Sequence, residues 1–148
     1  MKWINLEQML WPTEGARRVS HAPALDHRQL GEQALQLAAG LQGRGVQRLG
    51  VYLEGAAGRA VALLGAWRAG VEVLLPADLQ AQTRQRWDAE VDLWLSEQDQ
   101  RPVELFAAAL APADLDLDAC RLSLCTSGST GAPKRIDKCL RQLANEVN

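Results

Sequence analysis

With 148 residues, 47% hydrophobic and 23% charged, the chain has the length and balance of one globular domain that can bury its own core. A net charge of −2 argues against general nucleic-acid binding, which leaves a basic footprint. No apolar run approaches the ~18 residues of a membrane span, and the opening MKWINLEQMLW is interrupted by Asn5, Glu7 and Gln8, so it supplies no signal-peptide core; the cytoplasm is the expected compartment.

Residues 1–25 hold Trp3, Trp11, Pro12, Gly15 and Pro23. They predict a short helix or arm and then a loop, preceding an α/β domain over 26–148. Asp26 is a good helix N-cap. Leu30, Ala34, Leu37, Ala38 and Leu41 follow at helical spacing as one apolar stripe, and Gly43 and Gly45 supply the stop. RLGVYLE, from Arg48 to Glu54, reads as a buried strand. A second helix fits Ala57–Ala69, with Val61, Leu64, Ala66 and Trp67 as core contacts, and Gly70 ends it. Val71–Pro76 is a second strand, 78–89 a helix, and Val91–Leu95 a third strand. Val103–Leu110 predicts a helical stretch, Arg121–Thr126 a fourth strand, and Asp137–Val147 a closing helix. Helices alternating with short apolar strands predict βαβ units. The expected fold is α/β: a parallel sheet with helices on both faces, in three αβα layers.

Cys120, Cys125 and Cys139 are odd in number and lack CxxC spacing, and His21 and His27 are the only histidines. The cysteines read as free thiols rather than a disulfide framework or a zinc site. No metal ligand is assigned, and no catalytic residue.

The stretch TSGSTGAPKRI, Thr126 to Ile136, follows the fourth strand directly. In open α/β sheets ligands gather beyond the carboxyl ends of the strands. Gly128 and Gly131 permit backbone angles closed to other residues and let amide N–H groups approach a ligand. Ser127, Ser129 and Thr130 add hydroxyl donors, Pro133 stiffens the exit, and Lys134 brings a mobile positive charge. Such a set can form a nest for phosphate oxygens. It is not a Walker A motif, because Ala132 and Pro133 separate Gly131 from Lys134, and it contains no Gly-x-Gly. Residues 121–148 carry five cations (Arg121, Lys134, Arg135, Lys138, Arg141) against Asp137 and Glu146. That is a local excess of three, which favours a small anion. A Ser/Gly-rich linker and a solvated charge cluster are the plainer alternatives.

TSGSTGAPK closely resembles the phosphate-binding signature of the AMP-forming (adenylate-forming) ligases, the superfamily of acyl- and aryl-CoA synthetases, luciferases and peptide-synthetase adenylation domains. The run from His27 through LGVYLEGAAGRAVALLGAWRAGVEVLLP resembles the first helix, strand, helix and Arg68-Ala69-Gly70…Pro76 segment of that family, so the likeness covers roughly 22–136. It implies a truncated N-terminal subdomain of that fold. It also implies activation of a carboxylic acid with ATP and magnesium to an acyl-adenylate, then transfer to a thiol of coenzyme A or an acyl carrier protein. Carried over residue by residue, Thr126, Ser127, Gly128, Ser129, Thr130, Gly131 and Lys134 would contact the β- and γ-phosphates. The tail RIDKCLRQLANEV resembles ligases of aryl-polyene-type pigment pathways. Arg135 stands where the family usually has glycine and His27 where an aromatic residue is common, and the spacing from Pro76 to Thr126 is short. The resemblance implies that the chain is the first part of a ligase, inactive by itself. The alternatives are a stand-alone phosphate-binding module, or a relic acting only by association. An incompletely covered sheet predicts a homo-oligomer.

Overall fold

The structure is a computed structural model that describes residues 5–11, 18–21, 24–126 and 134–147. Near the start, Arg18–His21 (β1) pairs antiparallel with Ala24–Asp26 (β2), a ribbon where the sequence predicts a loop. The main sheet has five strands, Arg48–Tyr52 (β3), Glu72–Leu75 (β4), Leu93–Ser96 (β5), Arg121–Thr126 (β6) and Lys134–Cys139 (β7), in the order β5-β3-β4-β6-β7. Its helices are His27–Gly43 (α1), Ala56–Arg68 (α2), Ala81–Trp87 (α3) and Leu140–Val147 (α4).

α1 begins as its sequence dictates. The Asp26 carboxylate accepts the Gln29 backbone N–H at 2.8 Å, and the Gln29 side chain accepts the Asp26 N–H at 3.0 Å. This reciprocal capping satisfies two donors that a helix end leaves open. The predicted stripe of Leu30, Ala34, Leu37, Ala38 and Leu41 is buried, and the chain turns at Gly45 with φ 67°, a conformation that favours glycine. α2 ends similarly, with Gly70 at φ 76°. The indole N–H of Trp67, in the last turn of α2, donates to the Arg121 carbonyl at 3.0 Å and ties that helix to the start of β6. His27 is also buried, and its Nε2 lies 2.8 Å from the Met9 carbonyl. A carbonyl only accepts, so that nitrogen carries the proton. An aromatic ring would fill the space without anchoring the arm.

Side chains alternate across the sheet. Leu49, Val51, Val73, Leu95 and Leu122 join α1 and α2 in the larger core, while Leu74, Trp94 and Cys125 meet Trp87 of α3 in a smaller one. The molecule is therefore three-layered, as expected. α3 is shorter than the sequence suggests because Asp78 competes for its first turn. The carboxylate of Asp78 accepts the Gln80 N–H at 2.9 Å and the Thr83 hydroxyl at 2.6 Å, an Asx-type turn that delays the helix.

Three further expectations are corrected. The sheet is mixed: β3, β4, β5 and β6 are parallel, but β7 runs antiparallel to β6, with Thr126 opposite Lys134 and Arg121 opposite Cys139. A parallel return needs a crossover of about a dozen residues or more, and the segment 127–133 is too short for one. The tail is consequently strand first and helix second. Once Lys134–Cys139 is taken by β6, α4 starts at Leu140, whose N–H donates to the Cys120 carbonyl at 2.9 Å. Finally, the stretch predicted as helix over 103–110 forms only a 3-10 turn, Pro102–Leu105. Beyond it the N–H groups of Ala107 and Leu110 donate to the Gln36 and Leu35 carbonyls of α1, at 3.1 and 3.2 Å. Docking on α1 thus outweighs local helix formation.

That docking depends on Gly40, where an added Cβ would run into the Leu105 carbonyl. By helix propensity alone Gly40→Ala should stabilise the protein by about 1 kcal/mol. The close approach reverses the sign. Urea unfolding should show a loss of about 1–3 kcal/mol, the usual cost of overpacking, and a stabilised variant would refute the contact.

Candidate functional site

β6 is parallel to β4, with Leu75 opposite Leu124, so Thr126 stands at the carboxyl edge of the parallel strands, next to the end of β4. Lys134 opens β7 directly across the ladder. The Thr126 hydroxyl points back along this pair, 3.4 Å from the Lys134 carbonyl. Of the residues expected to hold phosphate, Thr126 and Lys134 are thus brought together as a register pair. Ser127, Gly128, Ser129, Thr130 and Gly131 lie outside the described residues.

Three of the five tail cations are ion-paired. Arg135 pairs with Glu90 at 2.7 Å and Asp137 at 2.9 Å, Lys138 with Glu146, and Arg141 with Asp118 at 2.8 Å. No carboxylate among the described residues pairs with Lys134. Much of the positive charge seen in the sequence is therefore cancelled in place, while Lys134, beside the carboxyl edge, and Arg121 have no carboxylate partner among the described residues.

Under the hairpin runs a connected set of polar contacts that the sequence analysis did not single out. Arg48 on β3 reaches Glu72 at 3.3 Å and Glu90 at 3.5 Å. Glu90, in the turn after α3, also holds Arg135, whose guanidinium lies 6.0 Å from the ring centroid of Trp87. The chain of contacts continues through Asp137 to the Ser123 hydroxyl at 2.7 Å. A signal for part of it was available: Ser123 and Cys125 on β6, like Arg135 and Asp137 on β7, follow the period of two that puts side chains on one face. Only the register shows that these are the same face.

Hydrogen bonds from Ser123 and then Arg135 hold the Asp137 carboxyl below its ordinary range. At Asp99 burial opposes ionisation, but hydrogen bonds from Ser96 and Arg84 outweigh it and its pKa is also lowered. Burial pushes the Cys120 thiol up to about 11, and it raises Cys125 as well. The predominant neutral thiol is a poor nucleophile, and both cysteines are free and buried, packed in the two cores.

Among the described residues no group of three His, Cys, Asp or Glu side chains could hold a metal ion. The magnesium implied by the resemblance is accordingly assigned no ligand among the described residues. A cleft of about 230 Å³ lined by Trp67, Gly70, Val71, Asp116 and Cys120 opens where β4 and β6 begin, the edge opposite to the one where open sheets bind ligands. Among the described residues no helix is long and apolar enough to cross a membrane.

Several solved structures share this fold. The nonribosomal peptide synthetase FmoA3, bound to alpha-methyl-L-serine-AMP, superposes with a TM-score of 0.73 at 19% identity over 97% of this chain and 19% of its own. ATP-bound MatB from Rhodopseudomonas palustris gives 0.70 at 18% identity over 96% of this chain and 36% of its own. The N-terminal subdomain of Klebsiella oxytoca NpsA, in complex with anthranilyl-AMSN, gives 0.62 at 22% identity over 82% of this chain and 36% of its own. No family model and no curated protein matches by sequence. The fold is therefore that of the N-terminal part of adenylate-forming ligases. The chain spans between about a fifth and just over a third of the length of these three structures.

The lowered carboxylate pKa values set an acid limit. A carboxylate whose folded pKa lies below its unfolded value of about 3.9 contributes stability above that value and loses it as pH falls through the folded pKa. Urea midpoints should therefore drop steadily below about pH 4. Asp137→Asn should flatten part of that drop, and an equally steep profile in the variant would remove Asp137 from the account.

Proposed function

We propose that this chain is the phosphate-gripping N-terminal part of an ATP-dependent, AMP-forming acid ligase. The supporting observation is the sequence TSGSTGAPK at the carboxyl end of β6, in a chain that shares its fold with structures bound to ATP or to acyl-AMP species. In this reading the backbone amides of 127–131, the hydroxyls of Thr126, Ser127, Ser129 and Thr130, and the ammonium group of Lys134 receive the β- and γ-phosphates. A carboxylate oxygen of the acid attacks the α-phosphorus, the bond to the bridging oxygen of the β-phosphate breaks, and pyrophosphate departs with the negative charge. Donors placed in advance where that charge collects lower the barrier more than donors that must reorganise. A thiol of coenzyme A or of a carrier protein then attacks the acyl carbon and AMP leaves. A role in aryl-polyene-type pigment formation belongs to the same proposal, resting on the tail RIDKCLRQLANEV.

Two measurements test this reading. Titration calorimetry of the 148-residue chain with inorganic tripolyphosphate should give saturable binding, weakened about tenfold or more by Lys134→Ala, since a hydrogen bond to a charged group contributes roughly 1.5–3 kcal/mol. ATP–pyrophosphate exchange over a panel of carboxylic acids should show no turnover by these 148 residues. Absence of tripolyphosphate binding would sink the phosphate assignment, and clear exchange would sink the claim that the chain is only part of the enzyme.

A further inference from the structure

β7 is one of the two outer strands of the sheet. An outer strand has a single hydrogen-bonded neighbour, so its placement rests on that ladder and on side-chain contacts. At its far end Lys138 is tied to Glu146 on α4. At the end beside Lys134, the side chain of Arg135 reaches past the hairpin to Trp87 of α3 and to Glu90 just after it. It pairs with Glu90 at 2.7 Å, stands over the Trp87 ring at 6.0 Å, and braces against Asp137 on its own strand. A planar guanidinium with several donors can engage two carboxylates and an aromatic ring together, which an ammonium cannot do. Glu90 is in turn held by Arg48 on β3, and Asp137 by Ser123 on β6. The contact therefore connects the outer strand to the centre of the sheet.

We propose that Arg135 is a positioning residue for phosphate binding: its clamp on Glu90, Asp137 and Trp87 holds the start of β7 so that Lys134 stays opposite Thr126 at the carboxyl edge. This rests on the phosphate-binding reading above. Arg135 contributes through Lys134, not by contact with the anion, because its guanidinium is already engaged by the two carboxylates. Without the clamp the end of the outer strand frays, and binding must first restore the pairing, which lowers the apparent affinity by the fraction of time it is open.

The two partners of the clamp give the test its sign. Arg135→Ala removes a positive charge near an anion site and weakens binding on any account. Glu90→Gln removes a negative charge, so plain electrostatics predicts tighter binding, whereas loss of the clamp predicts weaker binding. Calorimetric titration of the 148-residue chain with tripolyphosphate should show Kd raised about fivefold in both variants, corresponding to roughly 1 kcal/mol. Arg135→Lys should recover part of the loss. Lys138→Ala, which breaks the other tie of the same strand, is the control for general loosening and should leave Kd within about twofold. Melting temperatures measured alongside ensure that every titration is run on folded protein. Unchanged or tighter binding by Glu90→Gln overturns the inference, as does an equal loss in Lys138→Ala. Failure of the unaltered chain to bind tripolyphosphate overturns the phosphate reading itself and this inference with it.

Discussion

The two-sided burial of β3 and β4 governs the rest of the architecture. Leu49, Val51 and Val73 are almost fully buried against α1 and α2, while Leu74 faces Trp87 and Trp94 on the other side. Strands covered on both faces are joined by crossovers that carry helices over the sheet. All four parallel strands then point the same way, and their carboxyl ends share one edge. Thr126 is brought to that edge because β6 is hydrogen-bonded to β4. Apolar burial, the largest favourable term in folding, thus decides where a polar segment leaves the sheet.

The hairpin of β6 and β7 sits on this frame under different forces. β6 is partly apolar and shares in both cores through Leu122 and Cys125. β7 reads Lys-Arg-Ile-Asp-Lys-Cys and contributes no residue to either buried cluster. It is held by its ladder and by ion pairs, each of which, being partly exposed, contributes at most about 1 kcal/mol. A strand rich in charge at the open edge also resists unwanted pairing with a second sheet. β6 is thus fixed by apolar burial and β7 by its ladder and by charge.

Much of this was legible in the amino-acid order. The stripe from Leu30 to Leu41, the cap at Asp26, the stops at Gly45 and Gly70 and the apolar strand cores are local signals, and local geometry obeyed them. The failures share one cause. Helical propensity over 103–110 gave way to hydrogen bonds with α1 across Gly40, and that over 137–139 to the ladder with β6. In each case a distant partner supplied backbone hydrogen bonds that local folding would have had to provide. The candidate site was readable in part for the same reason: TSGSTGAPK is a local motif, but the partners of Arg135 lie 45 residues upstream at Glu90, within its own strand at Asp137, and on the ring of Trp87.

By itself, then, the sequence determined the alternation of helices and strands, the residues that form the core, and the small-residue segment with its lysine, because each depends on the chemistry of neighbouring residues. The tertiary structure alone decided that the last strand turns back antiparallel, that three of the five tail cations are ion-paired while Lys134 has no carboxylate partner among the described residues, and that Arg48, Glu90, Arg135 and Asp137 form one connected set. Those outcomes depend on which faces the strands present to one another. That is a matter of register and packing between segments far apart in the chain, which no local pattern encodes.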